Sequence, residues 1–292
     1  VKGNVTFASS FAPVLAVLGA IIAMTVGTSY GKELFPAIGA EGTATVRVAY
    51  SAIILLAIWR PWRSQLTAND FKAIALYGAT LGLMNLMFYL SLVTLPIGIA
   101  IAIEFTGPLS VAVYSSRKLI DFVWIGLAVV GLLLLLPLTA DAEAINPIGV
   151  GFAVASAILW ALYIIFGKRV GHLHAGVSTS WGMLFATMVV VPVGIFRAGA
   201  ELVGPTVLLP GFILALASSA IPYTLEMFAL KRLPKNTFGI LLSMEPAVGA
   251  LAGLIILHEQ LSLIQWIAIG CIVAASIGSS LGAKSSSADP FN

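Results

Sequence analysis

Three carboxylates, Glu104, Glu226 and Glu245, and one guanidinium, Arg47, interrupt long apolar runs in this chain. If those runs cross a membrane, each charge costs roughly 2.5–3.5 kcal/mol near mid-bilayer, so each should face the protein interior or a wet cavity. A buried carboxylate can act as counter-ion to a cationic group. It can also serve only to lock helices together. Arg47 lies a turn or so inside its run. Long side chains snorkel and pair near an interface, so Arg47 is read as one half of a structural ion pair, with Glu226 as the candidate partner.

Polar and aromatic groups accompany these charges at helical spacing. Asn85 and Tyr89 are four apart and share a helix face, while Tyr223 and Glu226 are three apart, with Ser219 a turn earlier. Trp160 and Tyr163 are also three apart. Together they could form the wall of a solute cavity; Trp and Tyr near span ends could instead be interface anchors. A proline inside a helix removes the bond to the carbonyl four residues earlier. Pro108 thereby frees the Glu104 carbonyl, Pro222 that of Ser218 and Pro246 that of Leu242. With Gly107 these prolines are candidate hinges. Broken backbone is tolerated at membrane depth where it is buried in protein or lines a cavity, although proline is common in membrane helices generally.

Composition requires the membrane. Hydrophobic residues make up 60% of the 292, charged residues 9%, and mean hydropathy is +1.05. Soluble domains carry roughly 25% charged residues, so a chain this poor in charge needs lipid as solvent. The single Cys271 excludes an internal disulfide and a thiolate metal cluster. The pI near 9.0 reflects loop charges on one side of a membrane and implies no nucleic acid.

A phrase is repeated. Leu95-Pro96 with Gly107-Pro108 returns as Leu233-Pro234 with Glu245-Pro246, 138 residues later, and Gly31-Lys32 returns as Gly167-Lys168 after 136. Asn85 likewise maps onto Tyr223. The chain is therefore read as a duplicated unit, residues 1–143 and 144–292, the second ending in a short cytoplasmic tail. Apolar runs predict ten transmembrane helices near 11–31, 41–59, 71–92, 96–115, 121–138, 148–167, 176–196, 207–229, 234–256 and 263–282. The first is read as a span, not a signal peptide, because its Gly-Lys pair has a partner in the second half.

Topology follows from the basic residues. With the N-terminus cytoplasmic, that side holds Lys2, Arg60, Arg63, Lys72, Arg117, Lys118, Lys168, Arg169, Lys231, Arg232, Lys235 and Lys284. The other side holds only Lys32 and Arg197. The bias places both termini inside. Glu33, Glu41, Asp141, Glu143, Glu201 and Glu259 fall mainly outside. Five spans per half is odd, so the two copies must be inverted. In a membrane protein such inverted repeats point to a transporter with its site at the interface between halves.

Small-residue pairs at Gly27/Gly31, Gly78/Gly82, Gly249/Gly253 and Gly278/Gly282 predict close helix packing, or dimerisation through peripheral spans. His172 and His174 read as solvated loop residues. No zinc-protease helix, phosphate loop, Gly-x-Ser-x-Gly turn or channel filter is present, so catalysis, a cofactor and a metal site are not expected.

Local motifs add a resemblance. Gly82-Leu-Met-Asn85 with Phe88-Tyr89-Leu-Ser91, Ala102-Ile-Glu104-Phe-Thr-Gly-Pro108, Asp121-Phe-Val-Trp124, Pro222-Tyr-Thr-Leu-Glu226, and Arg232-Leu-Pro through Thr237-Phe-Gly239 to Ser243-Met-Glu-Pro246 resemble the drug/metabolite transporter superfamily. The similarity is to its ten-span class of two EamA-type repeats, in the branch of bacterial amino-acid exporters. Aromatic amino-acid exporters are similar in architecture but less so in these motifs. The resemblance implies an all-α integral inner-membrane protein, a basket-like bundle with spans 1, 3, 4, 6, 8 and 9 around a central cavity. It implies export of amino acids of the threonine and homoserine kind and related small metabolites. The expected partners are thus a small-molecule substrate and the lipid bilayer, with a homodimer possible but not required. A drug or cationic-metabolite pump of the same superfamily and a membrane-embedded enzyme are the competing readings.

Overall fold

The computed structural model describes residues 7–114, 119–135, 146–230 and 241–286, and every regular element among them is helical. In chain order these are α1 Phe7–Lys32, α2 Phe35–Trp59, α3 Ala68–Ser91, α4 Ile97–Tyr114, α5 Leu119–Leu135 and α6 Pro147–Arg169. They continue with α7 Ala175–Ala198, α8 Pro205–Ala215, α9 Ile221–Leu230, α10 Glu245–Ile256 and α11 Leu263–Ser286. A π turn, Leu216–Ala220, joins α8 to α9.

Six helices are long and apolar enough to cross a membrane: Ala12–Lys32, Phe35–Trp59, Ala68–Ser91, Pro147–Arg169, Ala175–Val203 and Pro205–Tyr223. Shorter apolar helices at Ile97–Val111, Phe122–Gly131, Glu245–Ile256 and Leu263–Ala275 fall within the stretches expected as spans 4, 5, 9 and 10. Among loop charges read from sequence, Lys2, Arg117, Lys118, Asp141, Glu143, Lys231, Arg232 and Lys235 lie outside the described residues, as does Leu233-Pro234.

Local chemistry sets the helix ends. Thr67 and Asp70 form a reciprocal capping box at the start of α3. Asn146 Oδ1 accepts the Ile148 N–H at 2.9 Å, with Pro147 at the first helical position of α6. Arg60 turns left-handed (φ 45°) to stop α2. α2 is two helical pieces meeting at Gly39 (φ 70°, ψ 175°), a backbone conformation only glycine adopts readily; the longer piece starts just beyond it, close to the expected 41.

α2 lies along α7, and α3 along both α6 and α7. α1 runs along α9 and α10, α5 along α11, and α4 sits among α6, α10 and α11. α4 is therefore enclosed: Ile97, Ile99, Ala100, Ala102, Ile103 and Phe105 are all buried. Small residues make the crossings close. Gly78 and Gly82 meet the backbone of Gly182 and Ala186, Gly98 that of Ala250, and Gly107 that of Ala157, with no room for a Cβ. Gly278 packs on Trp124 within the chain.

The two proline sites differ. α4 continues through Pro108. By contrast, a turn at Ser243–Met244 precedes α10, where Glu245 and Pro246 are the first two residues.

Candidate functional site

Arg47 sits midway along α2 and is 4% exposed. Its Nε donates to Ser218 Oγ at 2.9 Å, its Nη1 to Asn85 Oδ1 at 2.6 Å and its Nη2 to the Ser218 carbonyl at 3.0 Å. The acceptors are themselves held. Asn85 Nδ2 donates to the Leu81 carbonyl at 2.8 Å, and Ser218 Oγ to that of Leu214 at 2.7 Å. The Tyr89 ring lies 5.5 Å from the guanidinium carbon. The Ser218 carbonyl is available for the reason expected: Pro222, four residues on, has no N–H. The π turn sends the Ile221 N–H back to Leu216 instead. A π turn inside a helix often marks a functional site.

The ion pair expected of Arg47 is not formed. Among the described residues no carboxylate, Glu226 included, lies within ion-pair distance of it. Its neutral acceptors come from α3 and the π turn, so α2, α3 and the α8–α9 segment are tied at one point.

Glu104, buried on α4, accepts from Ser156 Oγ of α6 at 2.5 Å, and the Met84 carbonyl of α3 lies 3.0 Å from the same hydroxyl. One turn along, Gly107 meets Ala157, so the carboxylate contact and the close crossing belong to one α4–α6 seam. Glu245 is buried at the start of α10 and lies within electrostatic range of Glu104, Glu226 and Arg47. Glu226 keeps some accessible surface and stands near Tyr77, Tyr163 and Tyr223. The Tyr77 and Tyr163 rings stack at 4.8 Å, and the Tyr77 hydroxyl donates to that of Tyr163 at 2.9 Å. Tyr163 and Tyr223 both pack on the cluster of Val48, Ala52, Leu55 and Leu81. Trp160 stands edge-on to Phe105 at 5.6 Å.

The structure thus brings together residues from α2, α3, α4, α6, α9 and α10: a cation at Arg47, three carboxylates, and an aromatic cluster of Tyr77, Tyr163 and Tyr223 from α3, α6 and α9. Asn85 and Tyr89 are buried within the Arg47 network rather than open on a wall. Pro222 and Pro246 are buried, and Pro108 is partly so. Sequence reasoning missed Tyr77, Ser156 and the Ser218 hydroxyl. Spacing could have found the first two. Tyr77 is eight positions before Asn85 on one helix face, and Ser156 is four before Trp160 on another.

Ion pairs mark the bundle ends. Lys32 Nζ meets Glu259 Oε1 at 2.5 Å, while Glu259 Oε2 accepts the Ile97 N–H at 2.8 Å. Arg197 approaches Glu41 at 3.7 Å. At the other end His172 Nε2 lies 2.9 Å from Asp70 Oδ1. His174 Nδ1 accepts the Gly176 N–H at 3.2 Å, capping α7. Both histidines are exposed, yet neither is merely solvated, because each sits where a helix start offers a partner.

Membrane-length apolar helices enclosing buried charges of both signs define a multi-span membrane protein with a polar interior. Residues 147–281 match the EamA-like transporter family. The chain is 44% identical over 275 residues to the threonine/homoserine exporter RhtA of Escherichia coli (strain K12), covering 94% of this chain and 93% of that protein. It is 45% identical over 269 residues to RhtA of Salmonella typhimurium (strain LT2), covering 92% and 91%. The uncharacterized inner membrane transporter YedA of Escherichia coli (strain K12) is 28% identical over 299 residues, with 93% of each covered. The chain belongs to the EamA-like transporter family. A solved crystal structure shares the fold over 95% of this chain and 99% of its own, at TM-score 0.58 and 18% identity.

Proposed function

We propose that the protein exports amino acids and related small metabolites, threonine and homoserine among them, across the bacterial inner membrane. One observation carries this reading: 44% identity to a threonine/homoserine exporter across 94% of the chain. The site supports it. A zwitterion needs a carboxylate for its ammonium, which Glu104 or Glu245 supplies, and a polar group for its own carboxylate, which Asn85, Tyr89 or a helix amide supplies. The apolar and aromatic surroundings suit varied side chains, hence broad specificity.

In this reading the six long and four shorter apolar helices make ten crossings, with α8 and α9 as one, arranged as two inverted copies. Support comes from the packing. α2 with α7, α4 with α10 and α5 with α11 pack three of the five spans of one copy against their repeat mates. The contact of α3 with α6 is mirrored by that of α1 with α9, and α4 with α6 by α1 with α10. Such a reciprocal pattern is what a two-fold relation between the copies produces, and an odd number of crossings per copy would put that axis in the membrane plane. The bias in Lys and Arg places both termini in the cytoplasm. Alternating access then proceeds by bending at Gly107, Pro108, Pro222 and Pro246. The backbone breaks at 216–220 and 243–244 favour the second copy as the part that deforms.

Efflux of threonine and homoserine from liposomes by Glu104→Gln and Glu245→Gln variants tests the carboxylate role. Each single variant should lose most of the flux. Unaltered transport by both would remove the glutamates from the site. Export of organic cations is the second reading, favoured by Glu226 beside Tyr77, Tyr163 and Tyr223, a setting that suits a cation over aromatic faces. Thermal shifts with amino acids against lipophilic cations separate the two.

A further inference from the structure

The charges at this site are segregated, and that points to a role the exporter reading leaves open. We infer that Arg47, with the Tyr89 hydroxyl beside it, recognises the carboxylate of the substrate, so that an α-amino acid is read as a zwitterion between Arg47 and the buried glutamates. This rests on the exporter reading and deepens it.

Arg47 is buried, yet every acceptor it has is neutral: the Asn85 amide, the Ser218 hydroxyl and the Ser218 carbonyl. A guanidinium has five N–H groups in a planar fork, and these contacts use three. Two N–H groups on the terminal nitrogens therefore remain. Neutral acceptors orient the fork without cancelling its charge. Glu104 and Glu245 lie within electrostatic range of it but make no ion pair with it. A charge held out of water without a counter-ion is costly, and a carboxylate is the ligand that relieves it, two N–H groups to two oxygens.

The second observation concerns Tyr89. It is fully buried beside Arg47, and its hydroxyl, within reach of Thr28 and the Arg47 guanidinium, makes a hydrogen bond of good geometry with neither. An unsatisfied buried hydroxyl is uncommon and calls for an explanation. A carboxylate held by Arg47 would give it an acceptor. Position also fits, because the guanidinium is anchored on the π turn that begins the segment carrying Tyr223 and Glu226. A ligand joining the two charge types would couple α2 to that segment.

The rival is a purely structural brace tying α2 to α3 and the π turn. Threonine and threoninamide separate the two, since the amide keeps the ammonium and lacks the carboxylate. Efflux of each is measured from liposomes holding wild-type protein, Arg47→Gln or Arg47→Lys. Wild type should prefer threonine clearly. Arg47→Gln should raise the KM for threonine by about tenfold or more, the effect of losing a hydrogen bond to a charged group. The KM for threoninamide should stay within about twofold of wild type on the same scale. Arg47→Lys keeps the charge and loses the fork, so it should fall between.

Equal loss for both substrates, or an undiminished preference for threonine in Arg47→Gln, overturns the proposal. If Arg47→Gln is not monodisperse, Arg47→Lys decides by the same criterion. If neither variant folds, Tyr89→Phe decides by the same criterion, since the Tyr89 hydroxyl shares the proposed contact, and equal transport of threonine and threoninamide by wild type overturns the carboxylate role outright. Wild-type protein that moves neither threonine nor homoserine refutes the exporter reading itself, and this role with it.

Discussion

Ser156 holds the Glu104 carboxylate through one short hydrogen bond inside the bundle. Replacing it with alanine leaves a buried acceptor without its donor, which costs about 1–3 kcal/mol. Ser156→Ala should therefore lower the melting temperature in detergent by a few degrees. Adding Glu104→Gln should not lower it further, because the two changes remove the same interaction. Additive losses would place Glu104 elsewhere. Residues of this kind divide by how visible they are in a sequence. Glu104, Glu226, Glu245 and Arg47 announce themselves because charge is rare in apolar runs. Ser156, Ser218 and Tyr77 do not, since such residues occur throughout membrane helices and gain meaning only from the neighbour they meet. Arg47 also shows why counting charges misleads: it is held by an amide, a hydroxyl and a carbonyl freed by proline, none of which a charge count contains.

Helices were legible where their ends carry local chemistry, as at Thr67–Asp70 and Asn146–Pro147, and less so where tertiary packing decides. A short helical piece precedes the expected start of α2 and is set off from the main helix by the non-helical backbone of Gly39. Pro108 and Pro246 look equivalent in sequence, yet only the second stands beside a break, and proline chemistry alone does not say which helix its surroundings will hold straight. Crossings make a sharper test. Gly107 faces the Ala157 backbone, which cannot yield as a side chain could. Gly107→Val should sharply reduce monodisperse protein. Gly151→Ala, on α6 with open space around it, should be neutral or stabilising by up to about 1 kcal/mol. Fluorescence-detected size exclusion with a thermal ramp measures both. A benign Gly107→Val would mean that α4 and α6 do not cross this closely in the membrane.

Across the whole molecule, the end where α1 finishes is fastened by Lys32 and Glu259. Glu259 reaches both the lysine and the start of α4. Under the proposed topology that end faces outward, and solute release there requires the fastening to part. Lys32→Gln with Glu259→Gln should raise the labelling rate of a single cysteine at position 104, in a Cys271-free background, by an impermeant thiol reagent applied outside. An unchanged rate would show that other contacts close that end. The duplication was visible in sequence through the prolines 138 residues apart. The pairing of the helices was not, because it depends on which faces meet and no single segment records that.

The π turn at 216–220 has a consequence for the chain's tolerance of length change. Such a turn accommodates one surplus residue within a helix. Excising a single residue there would restore regular winding and keep everything downstream near its present angle, whereas the same excision in the regular winding of α8 would turn it by about 100° around the axis. In α8 the loss would swing Tyr223 and Glu226 to a different clock position, taking Tyr223 off the cluster on which it now packs. Deletion scanning should find α8 less tolerant of a loss of one residue than the turn at 216–220, for reasons of angular phase alone.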